Sequence, residues 1–118
     1  GTHAARLKVL CADLSTDQGL VSLVQNLPGS LDLLVNNAGV YLDGDSDFKD
    51  LNFQDVEETF RINVLLPMKV TRACLPALEK SKNPKVLNVT SLMGSITDNT
   101  SGGSYAYRMS KAALNMFN

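Results

Sequence analysis

Apolar positions along the chain switch between short unbroken runs and stretches spaced three and four apart. Leu7–Ala12 is a short apolar run holding Val9 and Leu10 and closed by Asp13, and its length predicts a buried strand. The next segment sets Leu20, Leu23, Val24 and Leu27 at helical spacing. It opens on Ser15 and Thr16 as capping residues and stops at Pro28 and Gly29, which predicts an amphipathic helix. Leu31–Val35 predicts a second buried strand, ended by Asn36, Asn37, Ala38 and Gly39, which have turn composition. After a polar loop from Asp43 to Asp50, Asn52 is placed to cap a long helical pattern. Phe53, Val56, Phe60, Asn63 and Val64 share one of its faces, and it runs to about Lys80. Asn83 and Pro84 break it, Lys85–Val89 predicts a third strand, and a Gly- and Ser-rich loop leads to a last helix near Tyr105.

Strands alternating with helices require crossover connections, so the expected fold is α/β, a doubly wound parallel sheet covered on both faces with right-handed crossovers. No repeat or linker interrupts it. Each predicted strand ends in polar or glycine residues: Asp13, then Asn37 and Gly39, then Thr90 and Ser91. In open α/β sheets ligands bind at the carboxyl ends of the strands, so a site is expected where these residues converge.

Size and composition narrow the picture. A chain of 118 residues supports one domain or part of one. With 11 basic and 12 acidic residues there is no cationic excess for a nucleic acid or an anionic membrane. No apolar run is long enough to span a bilayer. Cys11 and Cys74 lie in apolar stretches without metal-ligand spacing, which reads as two buried free thiols, no metal site and a cytoplasmic, reducing location. The chain opens on Gly1, Thr2 and His3 and closes on Phe117 and Asn118 within an unfinished helical pattern, so residues 1–118 are expected to be part of a longer protein.

Two polar positions stand out against the helical patterns. Asn63 falls on an apolar stripe, where a buried amide must be hydrogen-bonded. Pro67, four residues on, has no N–H to give the carbonyl of Asn63, so the helix is expected to be irregular there, with that carbonyl left for another partner such as water. Taken alone, this is an ordinary proline kink. Tyr107 and Lys111 are four apart on the last helix and share a face, which brings an ammonium near a phenol. A cation there favours the phenolate and makes the phenol a usable acid near neutrality. Tyr105, six positions from Lys111, faces elsewhere. Such a pair is also common on solvated helix faces.

Together these features form an ordered set: Asn36-Asn37-Ala38-Gly39 after a strand, Asn63 in the next helix, Ser91 after the following strand, then Tyr107-x-x-x-Lys111. In this order the chain resembles a short-chain dehydrogenase/reductase from its third strand to the start of its catalytic helix. Val86–Asn115, with Asn99-Thr100-Ser101-Gly102-Gly103 before the tyrosine, is similar to the C-factor and sniffer-type carbonyl reductases of that family.

The resemblance implies a Rossmann-like domain and an NAD(P)-dependent oxidoreductase acting on a small carbonyl or alcohol. It implies that Tyr107 exchanges a proton with the substrate oxygen while hydride passes to or from nicotinamide, and that Ser91 holds that oxygen. Lys111 would support Tyr107 and bind the nicotinamide ribose, and the Asn63 carbonyl would hold a relay water. Asp13 and Leu14 would meet the adenine, and Asn37, Ala38 and Gly39 would line the adenosine side. Asp13 reads equally well as a turn or cap residue, and Ser91 as a loop cap.

Two departures qualify these roles. No glycine-rich phosphate loop lies within residues 1–118, and the interval from Ser91 to Tyr107 is 16 residues, longer than is usual in the family. The strand matching Leu7–Ala12 would be separated from that matching Leu31–Val35 by two strands this sequence lacks, leaving unpaired edges. The choice between NAD and NADP is not legible. Tyr41, Leu42 and Met93 are pocket-wall candidates that read equally as core or loop, and no substrate is named from them. A homodimer or homotetramer is expected for the longer protein, paired through the helices at 52–80 and from 105. The alternative reading is a non-catalytic signalling or binding protein of the same descent.

Overall fold

A computed structural model describes residues 6–118. The helix α1 (Asp17–Asn26) starts where the sequence places it, with the Thr16 hydroxyl accepting the Gly19 N–H. β1 (Leu33–Asn36) follows, two residues later than the apolar run suggests. Asn52 caps α2 (Phe53–Phe60) by accepting the Gln54 N–H at 3.0 Å. A π-helical segment, Arg61–Leu65, joins α2 to α3 (Leu66–Leu78). Then come β2 (Lys85–Asn88), a 3₁₀ turn at Leu92–Gly94 and α4 (Tyr105–Phe117).

β1 and β2 pair in parallel, Leu33 opposite Lys85 through Asn36 opposite Asn88, so the α/β expectation holds. One face of the pair is covered and the other is open. Leu34, Asn36 and Val86 turn toward α3, whereas Leu33, Val35 and Leu87 remain about half exposed. Covering of both faces is therefore not seen among the described residues.

The core is a stripe on α3, Leu66, Val70, Cys74 and Leu78, each four residues from the last. Leu20 and Leu23 of α1, Leu27 at its C-terminal cap, and Leu34 and Val86 of the sheet pack against it. Burying such side chains contributes about 1.5–3 kcal/mol each, which fixes α3 on the sheet and so fixes the loops at its upper edge.

Leu7–Ala12 is not a strand. It runs unpaired, with Leu7 and Val9 75% and 77% exposed, and Cys11 is exposed rather than buried. Apolar content specifies that a segment can be buried in a sheet, but ladder hydrogen bonds need a neighbour, and none of the described residues lies beside it as a strand. Gly1, Thr2 and His3 lie outside the described residues.

Candidate active site

Asn63 is wholly buried at the centre of the π segment. There the Leu66 N–H reaches back to the Arg61 carbonyl, five residues away rather than four. The irregularity expected from Pro67 is present. The Asn63 side chain grips the loop after β1: Oδ1 accepts the Val40 N–H at 2.8 Å and Nδ2 donates to the Val40 carbonyl at 2.9 Å. Nδ2 also donates to Ser110 Oγ at 3.0 Å, and Ser110 donates to the Tyr107 carbonyl at 2.8 Å. Sequence reasoning missed Ser110, a small polar residue on the inner face of α4 whose only signal is its place beside Lys111.

Lys111 is 4% exposed, and its ammonium donates to the Val89 carbonyl at 2.9 Å. No carboxylate pairs with it among the described residues. Burial alone pushes its pKa below the ordinary lysine value. Its Nζ stands 5.7 Å from the centre of the Tyr107 ring, so the i, i+4 spacing does bring the two groups together. Tyr105 points elsewhere and packs edge-on against Phe48. Tyr41 lies against Tyr107 with ring centres 4.8 Å apart.

Ser91 is partly buried at the head of the 3₁₀ turn, and its Oγ accepts the Met93 N–H at 3.2 Å. The capping role is therefore real. Accepting that bond leaves the hydroxyl proton free to be donated. The turn is seated on α4 through Gly94, where a methyl group would lie 2.9 Å from the carbonyl carbon and Cβ of Lys111. Close approach of backbone to helix, which only glycine permits, thus sets Ser91 and Lys111 in fixed relation.

Asp13, Leu14, Ala38 and Gly39 line one open groove of ≈ 560 Å³ at the sheet edge, with Arg61 and Ile62 on its far wall. Asp13 is exposed, and its Oδ1 accepts both the N–H and the hydroxyl of Ser15, which hold its carboxyl below the usual range. Its main-chain carbonyl accepts the Thr16 N–H, so the turn reading of Asp13 is also real. Gly39 closes the inner end: a Cβ there would sit 3.4 Å from Asn63 Oδ1 and 3.5 Å from Lys111 Nζ. Asn37 faces a separate apolar cleft with Leu14 and Ala38. Met93 lines a small recess with Ile96 and Met109, and Leu42 is 43% exposed.

The arrangement is thus a phenol beside a buried ammonium, a serine free to donate, and a groove leading away past glycine and alanine. Residues 1–118 match the family described as short chain dehydrogenase, and the chain belongs to that family. It is 51% identical over 92 residues to C-signal of Myxococcus xanthus, covering 75% of this chain and 52% of that protein. It superposes on the carbonyl reductase Sniffer of D. melanogaster with a TM-score of 0.91 at 30% identity, over 98% of this chain and 53% of that one. On the NADPH-bound carbonyl reductase from chicken fatty liver the TM-score is 0.84 at 27% identity, over 98% and 51%. The similarity to C-factor and sniffer-type proteins is borne out, and the chain spans about half the length of the relatives it matches. Among the described residues no helix is long and apolar enough to cross a membrane.

Proposed function

We propose that residues 1–118 are the central portion of an NAD(P)-dependent carbonyl reductase or alcohol dehydrogenase with a Rossmann-like, doubly wound sheet, in which Asn63, Ser91, Tyr107 and Lys111 form the reacting site. The observation that carries this reading is Lys111, a buried ammonium with no carboxylate partner among the described residues, set beside the Tyr107 ring. A charge so placed costs folding free energy, which favours a role beyond packing.

When bound, a nicotinamide coenzyme supplies or accepts the hydride. Ser91 donates its free hydroxyl proton to hold the substrate oxygen, and Tyr107 passes its phenolic proton to that oxygen as the C–O double bond becomes single. The Lys111 ammonium stabilises the phenolate left behind. Pro67 denies the Asn63 carbonyl an α-helical donor, leaving it for a water that returns a proton by way of Lys111. The groove beside Asp13, Leu14, Ala38 and Gly39 suits the coenzyme's adenosine half, because the inner end at Gly39 and Ala38 offers backbone rather than bulk. NAD and NADP both fit this description. The chicken-liver relative is NADPH-bound, which favours NADPH as the first probe.

The longer chain is supported by the open sheet face and by an apolar cleft of ≈ 300 Å³ between α1, β1 and α3, since folded interiors are close-packed. The exposed Leu65 and Met68 of the π segment and α3, and Met109 and Met116 of α4, suit pairing with a second copy as a homodimer or homotetramer. A second reading, a signalling or binding protein without turnover, is favoured by the identity with C-signal.

Fluorescence titration of the complete protein with NADPH and NADH tests the reading. Saturable binding that weakens in Lys111→Ala is expected; a folded protein that binds neither coenzyme supports the second reading instead.

A further inference from the structure

The chain reaches α4 in an unusual way. Gly102, Gly103 and Ser104 stand in succession at φ 66°, 67° and 47°, all left-handed. For Ser104, which has a Cβ, that conformation costs on the order of 1 kcal/mol or more and persists only where surrounding contacts impose it. Ser104 gives the helix no side-chain cap, although the first N–H groups of a helix need acceptors.

The acceptor comes from the loop after β1. Asp43, 5% exposed, accepts the Ala106 N–H on Oδ2 at 2.8 Å, across 63 residues of sequence. A carboxylate at this end of a helix is favoured by the exposed peptide dipoles. Two residues before it, Tyr41 donates to the Gly44 carbonyl at 2.9 Å. A 2.7 Å hydrogen bond also joins Tyr41 Oη to Ser104 Oγ, tying the loop to the residue that precedes α4. The same loop is held at Val40 by Asn63. It is thus anchored at one end by the π segment and holds the first turn of α4 at the other, one residue before Tyr107.

We propose that Asp43 is a positioning residue for Tyr107: by capping α4 from the loop after β1, it sets the first turn, and with it the phenol, against Lys111 and Ser91. This rests on the reading of Tyr107 as the proton donor. Asp43 touches neither the phenol nor the ammonium by any hydrogen bond and acts only through Ala106. Its second oxygen, Oδ1, is buried and has no hydrogen-bond partner among the described residues, so the carboxylate reaches the rest of the protein through the Ala106 bond.

The test is steady-state kinetics on the complete protein, with NADPH and 4-nitrobenzaldehyde as probes, for Asp43→Ala, Asp43→Asn, Asp43→Glu and Tyr107→Phe. A misplaced reacting group loses on the order of 10- to 100-fold in rate. Asp43→Ala is expected to lower kcat by at least about tenfold while the NADPH Kd stays within about twofold. Asp43→Asn keeps an acceptor for Ala106 and should recover most of that loss. Wild-type kcat in Asp43→Ala, equal losses in the Ala and Asn variants, or a parallel rise in the NADPH Kd would each overturn the proposal. If Asp43→Ala does not fold, Asp43→Glu decides: one added methylene displaces the first turn, so kcat should fall, and wild-type kcat overturns it. Loss of turnover in Tyr107→Phe with wild-type turnover in the Asp43 variants removes the role of Asp43 alone. Retained turnover in Tyr107→Phe removes the reading on which it rests.

Discussion

Asn63 and Val40 are joined by both hydrogen-bonding groups of each: the side-chain amide of one accepts the N–H and donates to the carbonyl of the other, at 2.8 and 2.9 Å. A helix residue thus pairs with a loop as a neighbouring strand would. The pairing fixes the loop that carries Gly39 beneath it and Tyr41 and Asp43 above it. Asn63 is therefore doubly used, with its side chain fixing the loop and its carbonyl left without an α-helical donor.

Asn63→Ala removes three hydrogen bonds at a wholly buried position and should cost about 2–4 kcal/mol of stability. Asn63→Asp should be no better, because a carboxylate has no donor for the Val40 carbonyl or for Ser110. Urea unfolding of the complete protein checks both; an Asp variant as stable as wild type would show that the Val40 carbonyl does not depend on Asn63.

Gly94→Ala forces a methyl group to 2.9 Å from the backbone and Cβ of Lys111, atoms a rotamer change cannot move. Destabilisation of about 1–3 kcal/mol is expected, as for other overpacked sites, with a fall in turnover because Ser91 and Lys111 shift apart. Thermal unfolding and kcat measured side by side test the link. An unchanged melting temperature would mean that the 3₁₀ turn is not seated on α4.

Burial lowers the pKa of Lys111 beneath its ordinary 10.5, so between that lowered value and 10.5 the unfolded chain holds more protons than the folded one. Stability therefore rises with pH across that window, and the cost of burying the ammonium is fully present below it. Lys111→Met removes this dependence. Compared in urea from neutral pH up to 10.5, wild type should gain stability relative to the variant. A difference that stays flat with pH would mean that the ammonium is solvated.

Much of the local geometry of the candidate site was legible in the sequence. Thr16 and Asn52 announce their helices by capping chemistry, and Pro67 announces the irregularity at Asn63 by lacking an N–H. The spacing of Tyr107 and Lys111 is enough to bring their groups together. What stayed hidden depends on distant partners. Leu7–Ala12 has the composition of a strand but pairs with no strand among the described residues. Asp43 looked like the first residue of a polar loop, yet it is buried because Ala106, far along the chain, presents it with an N–H. The left-handed backbone of Ser104 could not be anticipated, since serine has no preference for it. Asp13 and Ser91 each proved to have the bland capping role that the sequence allowed, without losing the groups their proposed roles require.

In the proposed reaction Tyr107, supported by Lys111, gives a proton to a carbonyl oxygen as a coenzyme gives hydride. The direct measurement is the carbonyl-dependent loss of NADPH absorbance by the complete protein, wild type against Tyr107→Phe. Turnover is expected in the wild type, with a fall of about 100-fold or more in kcat in the variant and little change in NADPH affinity. Equal turnover in the two proteins would contradict it.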